Sequence, residues 1–117
     1  MKRHEARTAA FELLFETEFR ADENKEELFA ISVENREVST DDPYISNVYF
    51  GVHAHLEEID ELINKHAKGW KVSRLSKVTR SILRLSVYEM LYMREEIPTS
   101  VSLDEAVELS KTFDEEK

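Results

Sequence analysis

Cysteine is missing from this chain of 117 residues. Its absence excludes a disulfide framework, a thiol nucleophile and any metal site built on thiolates. Glycine and proline occur only twice each. An all-β fold needs turn residues at every hairpin, so this scarcity argues against one. Two isolated glycines also exclude a glycine-rich phosphate loop, and no serine nucleophile elbow is present. No apolar run approaches the ~20 residues that cross a bilayer. The basic start, Met1 to Arg7, is not followed by the apolar segment of a secretory signal. The expectation is a cytoplasmic protein with no membrane segment. Alanine, leucine, glutamate and lysine are plentiful, which favours helix. The length suits one domain, or two small helical halves sharing a core, without covalent staples.

Negative charge is missing from one stretch of an acidic protein. The net charge is −9, which argues against a simple nucleic-acid binder. Residues 64–88 nevertheless contain no acid and seven bases, Lys65, Lys68, Lys71, Arg74, Lys77, Arg80 and Arg84, leaving −16 on the remainder. Lys2, Arg3 and Arg7 add a second basic cluster near the start. A surface divided in this way can steer a polyanion to one side and repel it elsewhere.

The periodicity predicts helices throughout. Over 3–20, Ala6, Ala9, Ala10, Leu13, Leu14 and Thr17 follow the i, i+3, i+4 pattern. Phe11, Phe15 and Phe19 widen the apolar face. Arg3, Arg7 and Phe11 share one line, and cations at this end oppose the helix dipole, which suggests a purpose other than helix stability. Residues 21–24 form a turn and cap. A helix over 25–35 offers Leu28, Phe29, Ile31 and Val33 for burial, and 37–42 is the most loop-like stretch. Asp42 followed by Pro43 is an N-cap with proline in the first turn. The next helix runs to about His66, with a break possible at Gly51. Gly69 ends it, and Trp70 anchors the connection in the core. The bases of 65–80 recur at every third residue. They would spiral on a single helix, so Gly69 divides them into two surfaces, one around Lys65, Lys68 and Lys71, the other around Lys77, Arg80 and Arg84. Ser76 caps a helix over 77–93, whose Ser81–Tyr92 stretch is apolar nearly all round, as in a central helix. Ser102 with Glu105 reads as a capping box opening the last helix, with Val101 and Ala106 as its staple.

No catalytic group emerges. The carboxylates fall mainly on solvated faces, and no cofactor is indicated. His53 and Glu57, one turn apart, fall short of a metal site on their own. Arg84 and Glu89 are charges within an apolar helix. Buried charges are usually paired, so each is read as paired, Arg84 with Glu105. The alternative places Arg84 toward a partner or an RNA phosphate.

Arg74-Leu75, Val78, Ile82 to Leu85, Tyr88-Glu89, Ile97-Pro98, Val101, Glu105 to Lys111 and Phe113 resemble the NusB family of bacterial transcription antitermination factors. Arg7, Ala10, Leu13 to Phe15, Gly51-Val52, Ile59-Asp60 and Trp70 agree with this upstream. The resemblance implies an all-α fold of two small helical bundles packed across each other, with about six helices present: 1–67 as a first three-helix bundle and 68–117 as an incomplete second. It implies a non-enzymatic factor that binds box A-type single-stranded RNA with ribosomal protein NusE and joins the elongating RNA polymerase. The family's RNA contacts match Lys2, Arg3, His4 and Arg7. Its partner surface matches Thr79, Arg80 and Leu83. The family continues beyond the Phe113 region into a final helix. The expectation without it is an uncovered patch around Ile82, Val107 and Phe113, with lowered stability or self-association into a homo-oligomer. Two other readings stand beside this one. One is a NusB-like RNA-docking domain of an RNA cytosine methyltransferase. The other is a helical adaptor with no RNA role.

Overall fold

The computed structural model describes residues 2–20, 23–36, 42–66 and 71–113. They are all-α, as expected, with six helices and no strand among the described residues. These are α1 (Arg3–Glu18), α2 (Lys25–Arg36), α3 (Pro43–Ala54), α4 (Leu56–His66), α5 (Lys77–Tyr92) and α6 (Thr99–Phe113), with a 3-10 turn at Val72–Arg74 ahead of α5. No helix among the described residues is long and apolar enough to cross a membrane. The chain divides into two compact units, Met1–Gly51 and Val52–Lys117.

In the first unit, α1 packs on α2. Its alanines, Leu13, Leu14 and Thr17 are buried, as their spacing predicts. The phenylalanine row runs from core to solvent: Phe11 is 1% exposed and Phe19 63%. Their rings remain in contact, with Phe15 stacked on Phe11 at 6.2 Å and edge-on to Phe19 at 5.2 Å. The Asn24 carboxamide accepts from the Glu27 N–H at 2.9 Å and opens α2. Leu28 is buried, but Ile31 is 48% exposed, contrary to its expected burial. The Val33 side chain lies outside the described set. The Asp42 carboxylate accepts from the Tyr44 N–H at 2.9 Å, so the predicted Asp-Pro cap forms.

Tyr49 centres an aromatic cluster, with Phe29 at 5.1 Å and Phe50 at 4.8 Å. Its hydroxyl donates to the Lys25 carbonyl at 2.9 Å. Burial pushes its pKa up to about 12; its hydrogen bond with Thr17 acts the other way, and the charge of Glu26 adds to the rise. The unfolded chain therefore ionises first. Stability from this phenol is complete below pH 10 and is lost as pH climbs from about 10 toward 12. Tyr49→Phe should unfold less steeply over that window than the parent, as read by melting temperature against pH. An identical slope would place the alkaline sensitivity elsewhere.

The second unit is built on α5, which packs against α4 and α6. The Ser76 hydroxyl accepts from the Thr79 N–H at 3.1 Å, forming the expected cap. The expected continuous helix to His66 is interrupted, and the interruption falls at His55 rather than Gly51. The His55 side chain is held at this position. Its ring stacks on Tyr92 at 4.4 Å, and its Nδ1 lies 3.5 Å from the Glu58 carboxylate, which also accepts from the Tyr92 hydroxyl. The backbone ladder resumes at once, with the Ile59 N–H on the His55 carbonyl at 2.9 Å. Lys68, Gly69 and Trp70 lie outside the described residues.

The predicted capping box is also corrected. The last helix begins at Thr99, and the Pro98 carbonyl accepts from the Val101 and Ser102 N–H groups at 3.0 and 3.2 Å. Ser102 therefore sits inside α6. Its hydroxyl donates to the fully buried Glu89 carboxylate at 2.7 Å. Glu89 is thus paired within the core, as its place in an apolar helix suggested. Of the patch expected to be uncovered, Val107 is 52% exposed, whereas Ile82 is only 5% exposed because it faces the core side of α5.

Candidate nucleic-acid interface

The amino-terminal site is built on the first two turns of α1. Lys2 is extended and caps the helix, with its N–H on the Glu5 carboxylate at 2.9 Å. Glu5 offsets part of the unfavourable pairing of cations with this end of the dipole. Lys2, Arg3 and His4 are exposed. Arg3 and Arg7 are one turn apart and so share a face. The Arg3 guanidinium stands 4.7 Å from the Tyr44 ring centroid, and that of Arg7 stands 5.6 Å away.

The two arginines differ in burial. Arg7 is 2% exposed, so its guanidinium is part of the packed interior with Tyr44, itself 3% exposed. Arg3 rests on the same ring but keeps its head in solvent. A cation on an aromatic face gains about 1–2 kcal/mol where it is partly desolvated. The contact also limits the rotamers of Arg3, which lowers the entropy lost when it meets an anion. The surface available to a phosphate is therefore Lys2, Arg3 and His4. Arg7 is the buried counterpart that shares Tyr44. Tyr44 was not among the site residues read from the sequence. Its local signal, an aromatic directly after the Asp-Pro cap, does not reveal which helix it meets.

Residues at the start of α5 form a different surface. Thr79 is engaged in the cap, its Oγ1 accepting from the Ser76 hydroxyl at 3.1 Å. Arg80 donates to the carbonyls of Val72 at 3.0 Å and Leu75 at 3.3 Å, which pins the 3-10 turn to α5. Leu83 lines an apolar groove of about 370 Å³ with Leu62, Ile63, His66, Val87 and Met90. Arg84 makes a two-point bond to Asp60 on α4, Nε to Oδ1 at 2.9 Å and Nη2 to Oδ2 at 2.8 Å. Its orientation is therefore internal, and its two-point carboxylate is Asp60. Among the described residues, no group of three or more histidines and carboxylates is placed to hold a metal ion.

Comparison with known proteins places this arrangement. The NusB family profile matches residues 4–117. The transcription antitermination protein NusB of Bacillus pumilus is 40% identical over 117 residues, covering all of this chain and 86% of that protein. The NusB of Acetivibrio thermocellus is 42% identical over 118 residues, covering all of this chain and 80% of that protein. Among solved structures, Thermotoga maritima NusB superposes with a TM-score of 0.85 at 34% identity, over 97% of this chain and 79% of that one. A structure of the antitermination factors NusB and NusE with double-stranded RNA gives a TM-score of 0.81 at 32% identity, over 97% of this chain and 85% of its match. On sequence and fold together, the chain belongs to the NusB family.

Proposed function

We propose that this chain is a non-enzymatic transcription antitermination factor that acts in the cytoplasm. It binds box A-type RNA together with ribosomal protein NusE and delivers that RNA to the elongating RNA polymerase. The observation that carries the RNA reading is the exposed Arg3 guanidinium held on Tyr44, with Lys2 and His4 beside it on the first turn of α1. Phosphates meet Lys2 and Arg3, while unstacked bases supply the sequence information, as in single-stranded RNA recognition generally. Arg7 acts from beneath by fixing the ring on which Arg3 rests. Thr79 and Leu83 offer NusE a half-buried polar and apolar edge, and Arg80 supports it by holding the turn in front of α5. The acidic remainder of the chain, at a net −9 overall, suppresses unspecific binding.

The test compares box A RNA with a scrambled RNA, in the presence and absence of NusE. The parent should prefer box A when NusE is present, because the partner adds a second RNA surface at high effective concentration. Lys2→Ala with Arg3→Ala should weaken box A binding about tenfold and flatten the salt dependence by roughly 0.7 per lost phosphate contact. Equal affinity for both RNAs with NusE present would refute the proposal.

A further inference from the structure

The acid-free stretch at 64–88 is only partly explained by the fold. Of its described bases, Arg80 is committed to the carbonyls of Val72 and Leu75, and Arg84 to Asp60. Lys65, Lys71 and Arg74 are exposed, and Lys77 is half-buried. Three ties hold the backbone that carries them. The Asn64 carboxamide accepts from the Val72 N–H at 2.7 Å, joining the last turn of α4 to the 3-10 turn. Arg80 clamps that turn to α5, and the Ser76 cap fixes the start of α5. The bases are thus displayed from a braced platform rather than from a loose loop. Asp60 is already engaged by Arg84, and Glu61 lies one turn before Lys65. The uncompensated field is therefore centred on Lys71 and Arg74.

We infer that Lys65, Lys71, Arg74 and Lys77 form a second RNA-backbone contact, on the Val72–Arg74 turn and its flanks, in addition to the start of α1. It rests on the RNA-binding reading above. The ligand chemistry is the phosphodiester chain. Cations of this kind take phosphates, and phosphate contacts carry no base preference. On a chain at −9 overall, such a patch is where a polyanion approaches without repulsion. Phosphates held here add affinity and little sequence selectivity.

The experiment uses a fluorescently labelled box A RNA with single-stranded flanks and the whole chain with NusE, titrated at several salt concentrations. The variants are Lys71→Ala/Arg74→Ala and the charge-keeping exchange Lys71→Arg/Arg74→Lys, with circular dichroism confirming that both fold. The alanine pair should bind about three- to tenfold more weakly near 0.1 M salt, its log–log salt slope shallower by roughly 1.4. The exchange should bind as the parent does, and preference for box A over scrambled RNA should persist in both. A parent that binds RNA no better than the alanine pair, at an unchanged slope, overturns the inference while leaving the α1 reading intact. A loss confined to NusE binding without RNA also overturns it and marks the patch as a protein surface. A parent that binds no RNA ends both readings.

Discussion

Asp60→Ala should cost about 3 kcal/mol, the low end of the range for removing one partner of a buried ion pair. The low end applies because the side chains are still 13% and 23% exposed, so solvent reaches part of the pair. Its two bonds, at 2.9 and 2.8 Å, tie α4 to α5, and the mutation leaves a guanidinium facing a site that no longer holds its carboxylate. For a domain of this size the expected fall in melting temperature is roughly 10 °C. The penalty belongs to the orphaned charge more than to the pair itself. Asp60→Leu combined with Arg84→Met should therefore recover most of the loss, because apolar substitutes of similar volume often match a buried ion pair. Urea denaturation of Asp60→Leu, Arg84→Met and the double variant closes the cycle, with Asp60→Ala measured beside them. A cost below about 0.5 kcal/mol for Asp60→Ala would show the pair to behave like an exposed one.

The second large effect concerns Glu89, which is fully buried on α5. The Ser102 hydroxyl donates to it at 2.7 Å from α6. A hydrogen bond to a charged group contributes about 1.5–3 kcal/mol, and leaving a buried acceptor short of a donor costs similarly. Ser102→Ala keeps the volume nearly unchanged but removes the donor, so a loss of about 2 kcal/mol is expected on that scale. In a Glu89→Gln background the same change should cost about half as much, because the acceptor is no longer charged. The difference between the two backgrounds is the coupling that a double-mutant cycle isolates. Equal costs in both backgrounds would show that Ser102 contributes through packing alone.

Both pairs illustrate which features the sequence carried. The Asp42-Pro43 start of α3 and the Ser76 cap of α5 were legible because their donors and acceptors lie within three residues of each other. The core face of α1 was legible because its period is local. Ser102 was misread because its hydroxyl has a stronger acceptor on another helix than the backbone offers nearby. The interruption falls at His55, whose ring meets Tyr92 far away in the chain, whereas Gly51 carried only a local propensity for a break. Arg84 could be recognised as a charge needing a partner, but no spacing rule pointed to Asp60. The site shows the same division. The basic cluster of Lys2, Arg3, His4 and Arg7 was visible in the sequence, and the RNA role proposed for it came from the family resemblance. The burial of Arg7, and the Tyr44 ring that it shares with Arg3, became visible only once α1 and α3 were placed within one unit.

The two-fold use of basic residues in the acid-free stretch has a consequence for sequence drift. At Arg80 and Arg84 the positive charge is spent on oriented bonds, to two carbonyls in one case and across both oxygens of a carboxylate in the other. The two bonds of Arg84 use the planar fork of a guanidinium, which an ammonium cannot reproduce. At Lys71 and Arg74 the charge faces solvent, and either cation serves. Lysine and arginine are thus interchangeable at Lys71 and Arg74 and distinct at Arg84. Bases that look alike in the linear sequence thus divide into letters that fold the protein, Arg80 and Arg84, and letters that charge its surface, Lys71 and Arg74.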